Sequence, residues 1–256
     1  MISHPTGVRR TATLISMTPD TIDRMSILAI VAHPDDADIF CGGTLAKHAD
    51  RGDDVQIVHM TSGEYGGIDT TEDELVSVRQ EEARNSAAEL GCGCDFLEFN
   101  DGRIEQSLEN RLVIVDVIRN HQPDVILTHF NDDMHPDHRA TSRLVSNAYY
   151  MASLPLVETE YDPHDPDNVY YFGKPTSAFD PSVYIDISDY QARKERAIDH
   201  HDSQVEFLEN HGGIDAEFDN LIDGVRAEAR VLGKRTGVEY AEGFAPLHDV
   251  TTDYLE

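Results

Sequence analysis

Two short clusters in this sequence bring together side chains that are costly to leave at the end of a buried strand. HPDD at 33–36 follows the apolar run SILAIVA, and NDDMHPDH at 131–138 follows DVILTHF. Ionised carboxylates resist desolvation and repel one another, so something positive must accompany them. A divalent cation meets that need. A hydrolytic zinc site takes three ligands from His, Asp or Glu and keeps a fourth position open. His33 and Asp36 lie three residues apart across a turn stiffened by Pro34, and His135 and His138 repeat that spacing around Pro136. The two turns offer more than enough ligands, which leaves one aspartate outside the metal as a base. A single His-Pro-Asp turn reads as a solvated loop. Two of them, each closing an apolar strand, stand evenly between one shared metal site and two unrelated loops.

The elements around these turns decide whether they can meet. Strand-like runs at 25–32, 54–62 and 95–99 alternate with helical patterns at 42–52 and 78–91. Leu108, Leu112, Val115 and Ile118 recur at helical spacing before Pro123 opens the strand at 124–130. A helix at 138–153 follows, then a Pro- and Asp-punctuated loop at 161–170. A strand at 182–188 and helices at 189–208 and 218–237 complete the pattern, the last ending on Gly237. This alternation predicts βα units and a parallel sheet. In open α/β sheets ligands bind beyond the carboxyl ends of strands, near a reversal in strand order, which is where both clusters fall. At 256 residues the chain suits one large domain. Residues 1–24 read as a flexible tail and 25–256 as the domain, with Met17 and Met25 as alternative starts.

Composition narrows the partners. There are 49 acidic and 20 basic residues, for a net charge of -29, which repels nucleic acid and anionic membrane surfaces. The basic residues are 4 Lys and 16 Arg; such a surface suits solubility in concentrated salt and a halophilic source, with an ordinary acidic protein as the alternative. Cys41, Cys92 and Cys94 make no disulfide framework, which points to a reducing, cytoplasmic setting. The CGC pair lacks a second pair to complete a tetrahedral metal site. No apolar run spans a bilayer, and the first twenty residues lack the apolar stretch of a signal peptide.

Five ordered motifs resemble the LmbE-like, or PIG-L-like, family of zinc-dependent N-acetylglucosamine deacetylases over most of residues 26–245. They are AHPDD with CGGTLAKHADRG at 32–52, VRQEEARNSAAELG at 78–91, NDDMHPDHRA at 131–140, KERAIDHHDSQ at 194–204 and YAEGF at 240–244. With the alternation of elements, the resemblance implies an α/β fold: a Rossmann-like three-layer sandwich with a mostly parallel sheet plus C-terminal strands and helices. It also implies roles. His33, Asp36 and His138 fall on the zinc ligands, with another divalent metal as an alternative. Asp35 falls on the base that takes a proton from the water activated by the metal. His135 falls on the group that stabilises the oxyanion and protonates the leaving amine, Asp137 on the carboxylate that orients His135, and Arg79 on a substrate contact. The implied substrate is a small soluble amino sugar that loses acetate, and the family's trimers and hexamers make a homo-oligomer an expectation. Two departures stand out. Ala37 replaces the acid of the common HPDDE pattern, with Asp38 one position on, as in an HPDDxE-type branch. Asp133 and Met134 stand where some relatives place an aromatic hydroxyl, which leaves more of the carbonyl polarisation to His135.

Other groups have competing readings. His201, with Ser203 and Gln204, fits the family's spacing, but it and His200 read better as structural residues at a helix end or a subunit contact. His129 reads as a core histidine. GEYGG at 63–67 reads equally as a wall of the sugar pocket or a plain flexible loop, and in DGRI at 101–104 a substrate contact through Asp101 or Arg103 is the lesser reading. Gly42 to Thr44 read as close helix packing, since they lack a phosphate-binding fingerprint. Against the deacetylase stand a metal- or sugar-binding protein without turnover and a metal-dependent phosphoesterase. The latter calls for a basic cradle, and near the two loops the sequence offers chiefly Arg79 and Arg139.

Overall fold

A computed structural model describes residues 24–174, 178–211 and 220–249. The expected tail, apart from Arg24, and its Met17 lie outside these. The parallel part of the fold runs β1 (Ser26–Val31), α1 (Asp36–Arg51), β2 (Asp54–His59), α2 (Glu72–Leu90), β3 (Gly93–Phe96), α3 (Leu108–His121), β4 (Val125–His129), α4 (Pro136–Ala152) and β5 (Asn168–Phe172). The rest comprises β6 (Val183–Asp186), α5 (Gln191–Ile198), α6 (Asp202–His211), α7 (Leu221–Thr236) and β7 (Ala241–Pro246). The strands form one seven-stranded sheet in the order β3-β2-β1-β4-β5-β7-β6. β1 pairs in parallel with β2 and β4, while β7 runs antiparallel to both β5 and β6. The strand order reverses between β1 and β4, so the crevice of the sheet opens beyond Val31 and His129, where the two clusters begin.

Alternation along β1 builds both cores. Leu28 and Ile30 pack with Ile114, Val115 and Ile118 of α3 and Leu144 and Val145 of α4. Ile27, Ala29 and Val31 point the other way, onto Phe40, Cys41 and Leu45 of α1 and Leu90 of α2. Both faces of β1 are therefore covered, as a central parallel strand requires, and the three-layer α/β expectation holds.

Several boundaries differ from the sequence reading, each for a local reason. α1 begins at Asp36 rather than Gly42, so Asp36 and Asp38 occupy its first turn, where the helix dipole favours acids. α2 begins at Glu72 rather than Val78, started by a capping box of Thr71 and Glu74. The loop expected at 161–170 ends in β5. The single helix expected at 189–208 is two, broken at a turn that carries His201 inward. The strand β7 escaped the periodicity because its glycine and proline mask any alternation. A Cβ at Gly243 would lie 2.8 Å from Pro181, so glycine there permits a close approach. The Gly42–Gly43 reading as close packing holds, since a Cβ at Gly43 would meet Ile187 at 2.8 Å.

Candidate active site and metal centre

The ends of β1 and β4 deliver the two turns to one place. Asp35 is the N-cap residue of α1 and leaves its carboxylate free of capping, while His135 is the N-cap of α4 with Pro136 behind it. Because both helices start at the crevice, the residues of their first turns converge.

His33 Nδ1 lies 3.3 Å from Asp36 Oδ2, His138 Nε2 lies 3.2 Å from Asp36 Oδ1, and the two ring nitrogens are 3.3 Å apart. Donors held about 2.0–2.1 Å from a tetrahedral ion stand about 3.3–3.4 Å from one another. The two rings match that spacing, and Asp36 meets each ring with a different oxygen; among the described residues His33, His135 and His138, and Asp36, His129 and His138, also bring donor atoms within 4.8 Å of one another. Chemistry agrees with geometry: two imidazoles and a carboxylate are ordinary zinc donors, and all three residues are buried. Asp36 Oδ2 is also 3.2 Å from His129 Nε2, and that nitrogen accepts from the Ala32 amide at 3.1 Å.

The surroundings draw positive charge to this point. Burial opposes ionisation of His33, but Asp36, Asp101 and Asp137 raise its pKa well above the ordinary value. Burial also works against His138, yet Asp36 and Asp133 raise its pKa. Burial pushes Asp36 up, whereas His138, His129 and His33 hold it well below the carboxylate range. His129 is different: burial first, then His138, lowers it to about 4, so it stays neutral.

Each of these two histidines, His33 and His138, meets a carboxylate on its other nitrogen. His33 Nε2 is 3.2 Å from Asp101 Oδ1 and 3.6 Å from Asp137 Oδ2. His138 Nδ1 is 3.2 Å from Asp133 Oδ1, within ion-pair range but misaligned for a hydrogen bond. Such outer carboxylates fix ring orientation and raise ligand basicity. The sequence reading passed over this use of Asp101 and Asp133. Asp133 was legible only as a departure from the aromatic hydroxyl of relatives, because its contact depends on how α4 begins.

Asp35 and Arg79 form a buried pair, Arg79 Nη2 donating to Asp35 Oδ1 at 2.9 Å and Nη1 to the Gly63 carbonyl at 2.8 Å. A Cβ at Gly63, whose φ is +67°, would sit 1.8 Å from Nη1, so this glycine makes the arginine's seat. His135 Nδ1 accepts from the Asp137 amide at 3.3 Å, which leaves the proton of the neutral ring on Nε2. Burial, then His33 and His138, lowers the His135 pKa. The Asp137 carboxylate, expected to orient His135, instead accepts from the amides of Gly102 (2.6 Å) and Ile104 (3.4 Å) and faces His33. Asp137 meets His135 through its backbone rather than its side chain.

The remaining candidates resolve simply. Tyr65, Gly66, Asp101 and Gly102 line the cavity over the site, while Arg103 lies over the Tyr65 ring. His201 Nε2 bonds Asp38 Oδ2 at 2.7 Å, both residues buried, and pins the α5–α6 turn to α1. Ala37 is fully buried in the core. Asp38 thus acts as a tether.

A Rossmann-like sheet with a three-donor cation cluster, a buried acid and a histidine at its switch point defines a class, that of metal-dependent α/β enzymes. The family described as PIG-L, GlcNAc-PI de-N-acetylase, matches residues 28–149. The diacetylchitobiose deacetylase of Thermococcus kodakarensis is 34% identical over 234 residues, covering 86% of this chain and 82% of that one. The chain belongs to the PIG-L family of deacetylases. The diacetylchitobiose deacetylase of Pyrococcus horikoshii, solved with its inhibitor, superposes with a TM-score of 0.75 at 28% identity, covering 88% of this chain and 84% of that chain. The 4-oxalmesaconate hydratase of Pseudomonas putida is 25% identical over 251 residues, covering 90% and 92%.

Proposed function

We propose that this protein is a zinc-dependent deacetylase that releases acetate from an N-acetylglucosamine-type sugar or glycoside. The observation that carries the reading is the convergence of His33, Asp36 and His138, the two rings 3.3 Å apart and each 3.2–3.3 Å from a different Asp36 oxygen, with Asp35 left outside the cluster. His33, Asp36 and His138 would hold a dication, which would supply Lewis acidity toward the amide carbonyl. Asp35, oriented by Arg79, receives the proton of the attacking water. His135, its Nδ1 engaged by the Asp137 amide, presents Nε2–H to the oxygen that gains charge, and the proton that Asp35 has taken from the water is the one delivered to the departing amine. Asp101, Tyr65 and Gly102 form the wall against which the sugar is oriented. Membership of the deacetylase family and the diacetylchitobiose relatives support the substrate class.

The test is acetate release by the metal-stripped and zinc-reloaded protein, run beside a phosphate ester and an unsaturated carboxylate. Acetate should appear only with metal. Asp35→Asn should lower kcat by about 10²–10⁴-fold with bound zinc unchanged. Zinc binding without turnover would make the protein a binding member of the family. Turnover of the phosphate ester, or hydration like that of the Pseudomonas relative, would replace the reading.

A further inference from the structure

The parallel ladder stops just short of the metal turn, and side chains of the neighbouring strands take over from it. β1 pairs with β2 as far as Val31 and His59, and with β4 as far as Ile30 and Thr128. Beyond that point β4 turns to β5, the Phe130 amide donating to the Phe172 carbonyl. The Ala32 amide donates to a side chain instead, His129 Nε2 at 3.1 Å, and the same nitrogen stands 3.2 Å from Asp36 Oδ2. The His33 carbonyl accepts from His59 Nδ1 at 3.2 Å as well as from the Asp36 amide at 3.3 Å. Contacts with Asp36 lie inside the turn, whereas His59 and His129 reach it from β2 and β4. Both are buried, at 2% and 1% exposure, and both rings are fixed by other rings. His59 stacks on Phe96 with centroids 4.9 Å apart. His129 stacks on His138 at 4.0 Å and meets Phe172 edge-on at 5.0 Å.

We propose that His59 and His129 are positioning residues of the metal centre: Nδ1 of the first and Nε2 of the second fix the Ala32–His33 backbone and, through it, the place of the His33 donor. The proposal rests on the metal centre of the reading above and is independent of its substrate. Metal–donor distances tolerate about 0.2 Å, so a turn released by more than that loses affinity for the ion while the fold survives. Packing alone would require only the shape of each ring. The hydrogen bonds require one particular nitrogen of each, the nearer to the backbone in His59 and the farther in His129. An asparagine amide nitrogen can stand where Nδ1 does, and the longer glutamine amide reaches to Nε2. The two histidines therefore need different amides in their place.

Zinc affinity is measured on the metal-stripped full chain by competition with a chromophoric chelator, beside the visible spectrum of the cobalt-loaded protein and the Tm of the metal-free protein. Groups that orient ligands carry about 10–100-fold in metal affinity, so His59→Leu and His129→Leu should each raise the zinc Kd by that much and shift the cobalt bands. The matching amides, His59→Asn and His129→Gln, should bring Kd back to within about threefold of the parent, a small part of that loss. The exchanged amides, His59→Gln and His129→Asn, should bind zinc as weakly as the leucine variants. A purely structural role moves Tm alone, so leucine variants with a lowered Tm and the parental Kd overturn the proposal. Matching and exchanged amides of equal affinity overturn it too. Should the leucine variants fail to fold, the comparison of the amides decides by itself. Parental affinity in every variant removes the positioning roles and leaves the metal centre intact, whereas a parent protein that binds no zinc removes the metal centre and the positioning roles with it.

Discussion

The guanidinium of Arg79 is committed on two sides by the protein itself, to Asp35 and to the Gly63 carbonyl, and the residue is 2% exposed. The family resemblance makes this arginine a substrate contact; its position suits it to holding the base. The two roles separate kinetically. A positioning residue acts on kcat, while a contact equally strong in ground and transition states acts on KM. Arg79→Ala should therefore lower kcat by about 10²-fold, the scale of a misplaced catalytic group, with KM within about threefold, and added guanidinium should restore part of the rate. Gly63→Ala should give the same split with the arginine still present, since the new Cβ would enter the space that Nη1 occupies. A raised KM with kcat preserved in Arg79→Ala would return the residue to substrate binding.

Elements bring these residues into range, and α1 matters most because Asp35 and Asp36 stand at its start. Its middle is held by Glu242 of β7, whose Oε1 accepts from the Gly43 amide at 3.0 Å and from Lys194 Nζ at 2.7 Å, while Oε2 accepts from the Thr44 amide at 2.7 Å. Glu242 and Lys194 are both buried, so β7, α1 and α5 meet at one ion pair. Removing one member of a buried pair strands the other charge at a cost of about 3–5 kcal/mol. Glu242→Ala should lose about that much stability in urea unfolding, and combining Glu242→Leu with Lys194→Met should recover a large part of it. A loss under about 1 kcal/mol in the single variant would show that water reaches Lys194. This junction also marks the limit of what was legible in the sequence. The βα alternation and the two His-Asp turns were readable because strand periodicity, proline and clustered ligands are local signals. Long-range contacts were not: the Glu242–Lys194 bridge, the Asp38–His201 tether that breaks the 189–208 helix, and the seat Gly63 makes for Arg79 each join residues whose pairing depends on the fold. Asp137 shows the same limit within one motif, since sequence proximity to His135 did not indicate that its carboxylate would turn toward His33.

For the whole molecule the controlling quantity is charge. Even with every Lys and Arg paired to one acid, 29 of the 49 carboxylate residues remain uncompensated. The exposed pairs are no counterweight: Arg193–Asp50 and Arg196–Glu89, for example, are surface bridges, each contributing about 0–1 kcal/mol. The uncompensated charge concentrates cations around the protein, which favours filling of the metal site and disfavours anionic substrates. It also strains the folded state through self-repulsion. Screening relieves that strain, because the Debye length falls from about 10 Å at 0.1 M salt to about 3 Å at 1 M. The Tm of the metal-loaded protein should therefore rise steeply as KCl is increased over that range and flatten beyond it. Sodium chloride should act equally, since screening depends on ionic strength rather than on the cation. Sucrose at matched osmolality separates screening from solute exclusion: it adds no ions, so a rise as large as that in salt would assign the effect to exclusion instead. A Tm indifferent to salt would mean that the acidic groups lie far enough apart for water alone to decouple them.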